Sequence, residues 1–149
     1  SNAYQKTFGG GPSDVAIWKI SPTGSILAAT YVGGTGGEGP DGAGVDQQGN
    51  FYFVGNTSSP NFPVTVPLTG PGGGPEDLVG VKMSSDLSRL LFSGRYGGSG
   101  DDVARSGLVD AAGNFYLVGN TDSNDFPTLN AIQANYGGAQ DGVMVKIAP

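Results

Sequence analysis

Gly49-Asn50-Phe51-Tyr52-Phe53-Val54-Gly55-Asn56-Thr57 returns as Gly113-Asn114-Phe115-Tyr116-Leu117-Val118-Gly119-Asn120-Thr121, 64 residues later and with one change in nine. A fixed period of this length marks a repeat architecture, in which a unit cannot bury its apolar face except against its neighbours. Such a chain folds as an array, and its activity belongs to the assembled array.

The 28 glycines and 10 prolines are about a quarter of the 149 residues, a level that signals disorder when no period underlies it. Here Gly and Pro fall between short Val/Ile/Phe/Tyr runs, which reads as many strands joined by tight turns. Seven basic against 13 acidic residues give a net charge of −6, so the basic footprint of a nucleic-acid binder is missing. With no Cys and no His, disulfides, thiolate metal sites and the commonest general base are excluded. No run of about 18 apolar residues is present to span a membrane as a helix. Ser1-Asn2-Ala3 reads as the remnant of a cleaved expression tag, which leaves residues 4–149 as the repeat region and any signal peptide unreadable.

Asp14-Val15-Ala16-Ile17-Trp18-Lys19-Ile20 aligns with the segments Asp77 to Met83 and Asp141 to Ile147. Units are therefore expected at about 14–76 and 77–140, with a third starting at 141. Strand alternation puts Ala16, Trp18 and Ile20 on one face and the Lys on the other, with apolar residues on both, so the strand is expected to be covered on both sides. Further strands are expected at about Ser25 to Val32 and Leu90 to Tyr96, Gly42 to Asp46 and Ser106 to Asp110, and Phe51 to Asn56 with its copy. Asp46-Gln47-Gln48-Gly49-Asn50 and Asp110-Ala111-Ala112-Gly113-Asn114 fit hairpins on type I turns, the Asp accepting from turn N–H groups and the Gly left-handed. The rest of each period is one long connection, Thr57 to Glu76 and Thr121 to Gln140, whose recurrent Phe62-Pro63 and Phe126-Pro127 point to packing by its own aromatic.

Four antiparallel strands per repeat without helices is the sequence pattern of a β-propeller blade. The motifs Asp-x-x-Val-x-Lys-Ile, Tyr-x-Gly-Gly-x-Gly, Val-Asp-x-x-Gly-Asn-x-Tyr-x-Val-Gly-Asn-Thr and Asn-x-Phe-Pro, in that order over about residues 8 to 149, resemble the bacterial β-propeller repeats known as SBBP repeats. The resemblance implies a secreted or cell-surface bacterial protein with blades around a channel and no generally assigned chemistry, and it transfers no catalytic residues. By similarity to NHL-type propellers, Gly42 to Asp46 is an inner strand and Leu90 to Tyr96 an outer one. The chain then holds the outer two strands of one blade, one whole blade and three strands of another: about two blades plus an extra strand, a ring not closed within one chain. The implied partners are further copies, making a homo-oligomer, or the remaining blades of a longer propeller.

Among candidate sites, Asp46 and Asp110 each offer one carboxylate and lack the alternating acids of a calcium loop, so they read as turn formers. Asp14, Asp77 and Asp141 read as loop-holding acids, and Lys19, Lys82 and Lys146 as paired or snorkelling cations rather than a ligand-facing ring. Trp18 reads as core filling rather than a sugar platform. Gly9-Gly10-Gly11 and Gly72-Gly73-Gly74 read as turns, since no phosphate-loop pattern follows. The acidic loops differ between copies, Glu38 and Asp41 against Asp101 and Asp102, with Asp122 and Asp125 in the second long insert. They are the expected contact surface for a partner or a calcium ion.

The expected function is a non-enzymatic extracellular β-propeller module that binds a protein or glycan or serves as a surface-assembly scaffold, with no cofactor and no catalytic residue. The alternative is a calcium-dependent propeller hydrolase or lyase with a carboxylate-lined channel, for which carboxylates would replace the absent His.

Overall fold

The computed structural model describes residues 2–66 and 73–148, so Gly72 of the second Gly-rich stretch lies outside the described residues. The described residues form an all-β fold with no helix and no closed barrel. Nine strands follow one another: β1 Val15–Ile20, β2 Ile26–Val32, β3 Glu38–Val45, β4 Phe51–Thr57, β5 Asp77–Met83, β6 Leu90–Tyr96, β7 Asp102–Val109, β8 Phe115–Thr121 and β9 Asp141–Ile147. They pair antiparallel into three sheets, β1-β2, β3-β4-β5-β6 and β7-β8-β9. The chain is thus divided into groups of two, four and three strands.

The third strand of each unit is longer than the sequence suggests. Instead of starting at Gly42 and Ser106, β3 and β7 start at Glu38 and Asp102. The register of β3 slips between Pro40 and Gly42, and that of β7 between Ala104 and Ser106. A residue bulged from the ladder, beside a Pro that has no N–H to donate, makes Glu38-Gly39-Pro40-Asp41 look like loop while its ends still pair.

Alternation along the middle sheet builds two apolar layers. Phe53, Val79, Val81 and Met83 join Val15 and Val32 of the first sheet, with Phe62 and Leu87 from loops, in one buried cluster. Tyr52 and Val54 meet Phe115 and Leu117 of the third sheet in the other, where the Tyr52 and Phe115 rings lie edge to face at 5.3 Å. The sheets thus pack in chain order, the middle one offering one face to its predecessor and the other to its successor. Glycine lets β3 and β7 approach backbone to backbone: a Cβ on Gly42 would lie 2.9 Å from the Gly107 nitrogen.

Double coverage is found in the middle sheet, where nearly every residue of β5 is buried, but not in β1 or β9. Trp18 is 59% exposed and Ile20 54%, which corrects the assignment of Trp18 to the core. The residues aligned with them, Val81 and Met83, are fully buried against the first sheet. Trp18 shares their face, but no sheet of the described residues precedes β1. Met144 is 71% exposed on the corresponding outward face of β9.

The long connections also differ by neighbour. Phe62 is buried in the core, and Thr65 is tied to Ser93 of β6 through backbone and side-chain hydrogen bonds. Phe126 is half-buried and lines a groove of about 630 Å³ with Pro127, Tyr136, Asp141 and Val143. In the middle sheet, β6 pairs with β5 at the equivalent place.

Candidate functional site

The chemistry-bearing side chains concentrate where one sheet hands the chain to the next. After β2 the segment Gly33 to Gly37 must reverse within a few residues, and its backbone N–H groups need acceptors. Glu38 Oε2 accepts from Gly34 N at 3.1 Å, Asn61 Oδ1 from Thr35 N at 2.8 Å and Thr35 Oγ1 at 2.9 Å, and Ser59 Oγ from Gly36 N at 2.7 Å. The other oxygen of Glu38 accepts from Thr57 Oγ1 at 2.7 Å and from Ser59 Oγ. Glu38 is buried and both of its carboxylate oxygens are engaged.

The same knot recurs 64 residues on. Asp102 accepts from Gly98 N at 2.7 Å, from Ser123 Oγ at 2.9 Å and from Thr121 Oγ1. Asp125 Oδ1 accepts from Ser99 N at 2.8 Å and Ser99 Oγ at 3.0 Å, and Ser123 Oγ accepts from Gly100 N at 2.8 Å. Backbone bonds complete each joint, Glu38 N to Ser13 O and Asp102 N to Glu76 O, both 2.9 Å. Glu38 and Asp102 are thus paired across the repeat as buried joint acids, which corrects their placement in free acidic loops. The equal offset of Thr57-x-Ser59 and Thr121-x-Ser123 is the signal that would have identified the hydroxyl partners.

The remaining candidate acids divide. Asp41 and Asp101 are exposed and come together with Glu76. Burial, and then the charges of Asp101 and Asp41, raise the Glu76 carboxyl, while Arg105 opposes them. Asp41 is itself raised by burial against the pull of Arg105 and a 2.8 Å hydrogen bond from Asn56 Nδ2. Arg105 occupies the repeat position of Asp41, so the two repeat copies contribute opposite charges to this one exposed patch. Asp122 accepts from Gln140 Nε2 at 3.0 Å and belongs, with Asp125, to the second joint. Among the described residues no group of three or more His, Cys, Asp or Glu is placed to hold a metal ion.

Asp14, Asp77 and Asp141 each accept from a glycine N–H upstream, Gly9 at 2.7 Å, Gly73 at 3.2 Å and Gly137 at 2.6 Å. Asp77 in addition binds the Arg95 guanidinium. Asp46 and Asp110 cap their turns, accepting from Asn50 N at 2.8 Å and Asn114 N at 2.9 Å, with Gly49 at φ 76° and Gly113 at φ 82°. Burial pushes the Asp46 carboxyl up, but hydrogen bonds from Asn50, Lys82 and Tyr52 outweigh it and hold it down at about 2. Lys82 Nζ lies 3.3 Å from Asp46 and 4.9 Å from the Tyr52 ring centre, Lys146 covers Tyr116 at 5.4 Å, and Lys19 donates to Ser85 O at 3.1 Å. The three lysines are held at the hairpin ends of the sheets.

Most of these acids hold backbone, hydroxyl or amide donors, Asp77 and Asp46 also hold Arg95 and Lys82, and an exposed mixed-charge patch lies around Asp41, Asp101 and Arg105. No protein-family model and no curated protein matches the chain.

Proposed function

We propose that the chain is a non-enzymatic β-propeller module of the SBBP-repeat kind, of bacterial secreted or cell-surface type, that works by assembling into a larger array and binding a protein or glycan at its loops. The observation that carries this reading is the order of packing: three sheets stacked in chain sequence, with Trp18 and Ile20 exposed on the leading face and Met144 on the trailing one. Exposed apolar side chains on two different, opposite-sense faces suit a head-to-tail interface, which closes by rotation. The grouping of strands into two, four and three, and the close approach of β3 and β7 at glycine, support a blade phase with these strands innermost.

Because β1 and β9 align with the same segment of the repeat, a blade shared between two copies has room for only one of them. Copies therefore either stack the Trp18 face on the Met144 face or exchange one terminal strand. Partner contact is assigned to the patch of Asp41, Glu76, Asp101 and Arg105, where one repeat position changes from Asp41 to Arg105 while the joint acids stay acidic. Mass in solution by light scattering tests the assembly: a concentration-dependent ring of copies is expected, and a monomer at all concentrations overturns closure by copies.

A further inference from the structure

Asp77 and Asp102 come from different sheets, β5 and β7, and both are fully buried. Asp77 Oδ2 is occupied by Gly73 N and Arg95, but Asp77 Oδ1, also buried, has no hydrogen-bond donor. It lies on the same side of Gly97 as Asp102: a methyl group at Gly97 would collide with Asp77 Oδ1 and, at 2.6 Å, with Asp102 Oδ2. Two carboxylate oxygens thus converge on one glycine with no side chain between them. The first joint repeats the geometry, where Gly33 is hemmed in by Asp14 Oδ1 and Glu38 Oε2, each 2.5 Å from its Cβ position, and Asp14 Oδ1 is again without a donor.

We propose that Asp77 and Asp102 share one proton, carried on Asp77 Oδ1 and donated to Asp102, which latches the second sheet to the third and is released as pH rises. Charge balance supports the count. The group contains one cation, the part-buried Arg95, and two buried carboxyls; with one proton it is neutral, and without it a net negative charge is left on the buried carboxyls. Burial pushes the Asp77 carboxyl up and Asp102 adds to this, against the opposing pull of Arg95 and of the Gly73 N–H. The other ionisable groups at the joint are engaged elsewhere, Glu76 with Asp101, Asp41 and Arg105, and Asp125 with Ser99. The remaining donors to Asp102, from Thr121, Ser123 and Gly98, are neutral. At the first joint Tyr31 stands at the repeat position of Arg95 and the Gln5 amide donates to Asp14 Oδ2 at 3.1 Å, so the neutral triad is particular to the second joint.

The sign follows from linkage. A folded-state carboxyl raised above its unfolded value stabilises the fold fully below the unfolded value and loses that contribution as pH rises through the folded one. Above about pH 4 the wild-type folding constant should therefore fall by up to about tenfold per pH unit from this group, levelling off once Asp77 has ionised. Asp77→Asn places an amide where the proton sits and should remove that slope, so that the variant gains on wild type as pH rises. The wild-type protein gives a second reading by carbon-detected NMR of its carboxyls: Asp77 should titrate well above Asp46. Titration of Asp77 in the ordinary carboxylate range, or equal slopes in wild type and variant, overturns the latch. So does calcium chloride that displaces the Asp77 and Asp102 signals together, which would make the pair a cation site.

Discussion

The side-chain Oδ1 of Asn56, at the end of β4, accepts a hydrogen bond from the backbone N–H of Ala104 in β7 at 2.6 Å, a tie between sheets made by a single buried amide. Its repeat partner Asn120 donates instead to Gln140 at an exposed site, 3.0 Å away. One residue type at one repeat position therefore does two jobs. Asn56→Ala would strand the Ala104 N–H and should cost about 1–3 kcal/mol in chemical denaturation, whereas Asn120→Ala should fall within about 0.5 kcal/mol of wild type. Equal costs would show that the inter-sheet tie is not what Asn56 contributes.

Glu38→Ala removes the acceptor of Gly34 N, Thr57 Oγ1 and Ser59 Oγ at once. Leaving several buried donors unsatisfied should cost about 3 kcal/mol or more. Urea denaturation reads it, and a loss below about 1 kcal/mol would mean that water replaces the carboxylate.

Lowering the pH should remove the contribution of Asp46. Its folded carboxyl sits at about 2 against an ordinary 3.8, so its contribution is present above pH 4 and disappears between about pH 4 and pH 2. Asp46→Asn should flatten that part of the acid-denaturation curve. An unchanged curve would show that Lys82 and Asn50 do little for Asp46 in solution.

Gly55 separates from Gly39 by space alone. A Cβ on Gly55 would come within 3.0 Å of the Gly39 and Pro40 backbone, while one on Gly39 meets nothing within 4 Å. Gly55→Ala should displace β3 from β4 and lower the melting temperature by several degrees, as a core strain of about 1–3 kcal/mol does. Gly39→Ala should leave it nearly unchanged.

Trp18 is the only tryptophan, and in a single copy it is mostly in water. Its emission should shift to shorter wavelength as concentration rises, and Trp18→Gln should weaken association without lowering the stability of the dilute chain. An emission maximum independent of concentration would remove Trp18 from the interface.

The strands were legible because each apolar alternation is written at least twice, and the Asp46 and Asp110 turns because an Asp, a Gly and an Asn at fixed spacing have few other uses. Trp18 was misplaced for a physical reason: periodicity reports which face of a strand is apolar, not whether a neighbour covers it. Glu38 and Asp102 were hidden by their Gly-rich surroundings, where an acid looks solvated. Their burial depends on hydroxyls of Thr57, Ser59, Thr121 and Ser123 arriving from about 20 residues downstream, and only the common offset between the two copies links them.

The middle sheet is the one flanked on both faces, and this has a kinetic consequence. In a linear stack, opening an end unit breaks one interface and opening the centre breaks two, so protection from hydrogen exchange should decay outward from β4 and β5. Local opening below the global transition would then begin at the ends, and any copy that covers the Trp18 or Met144 face would slow that opening on the side it touches.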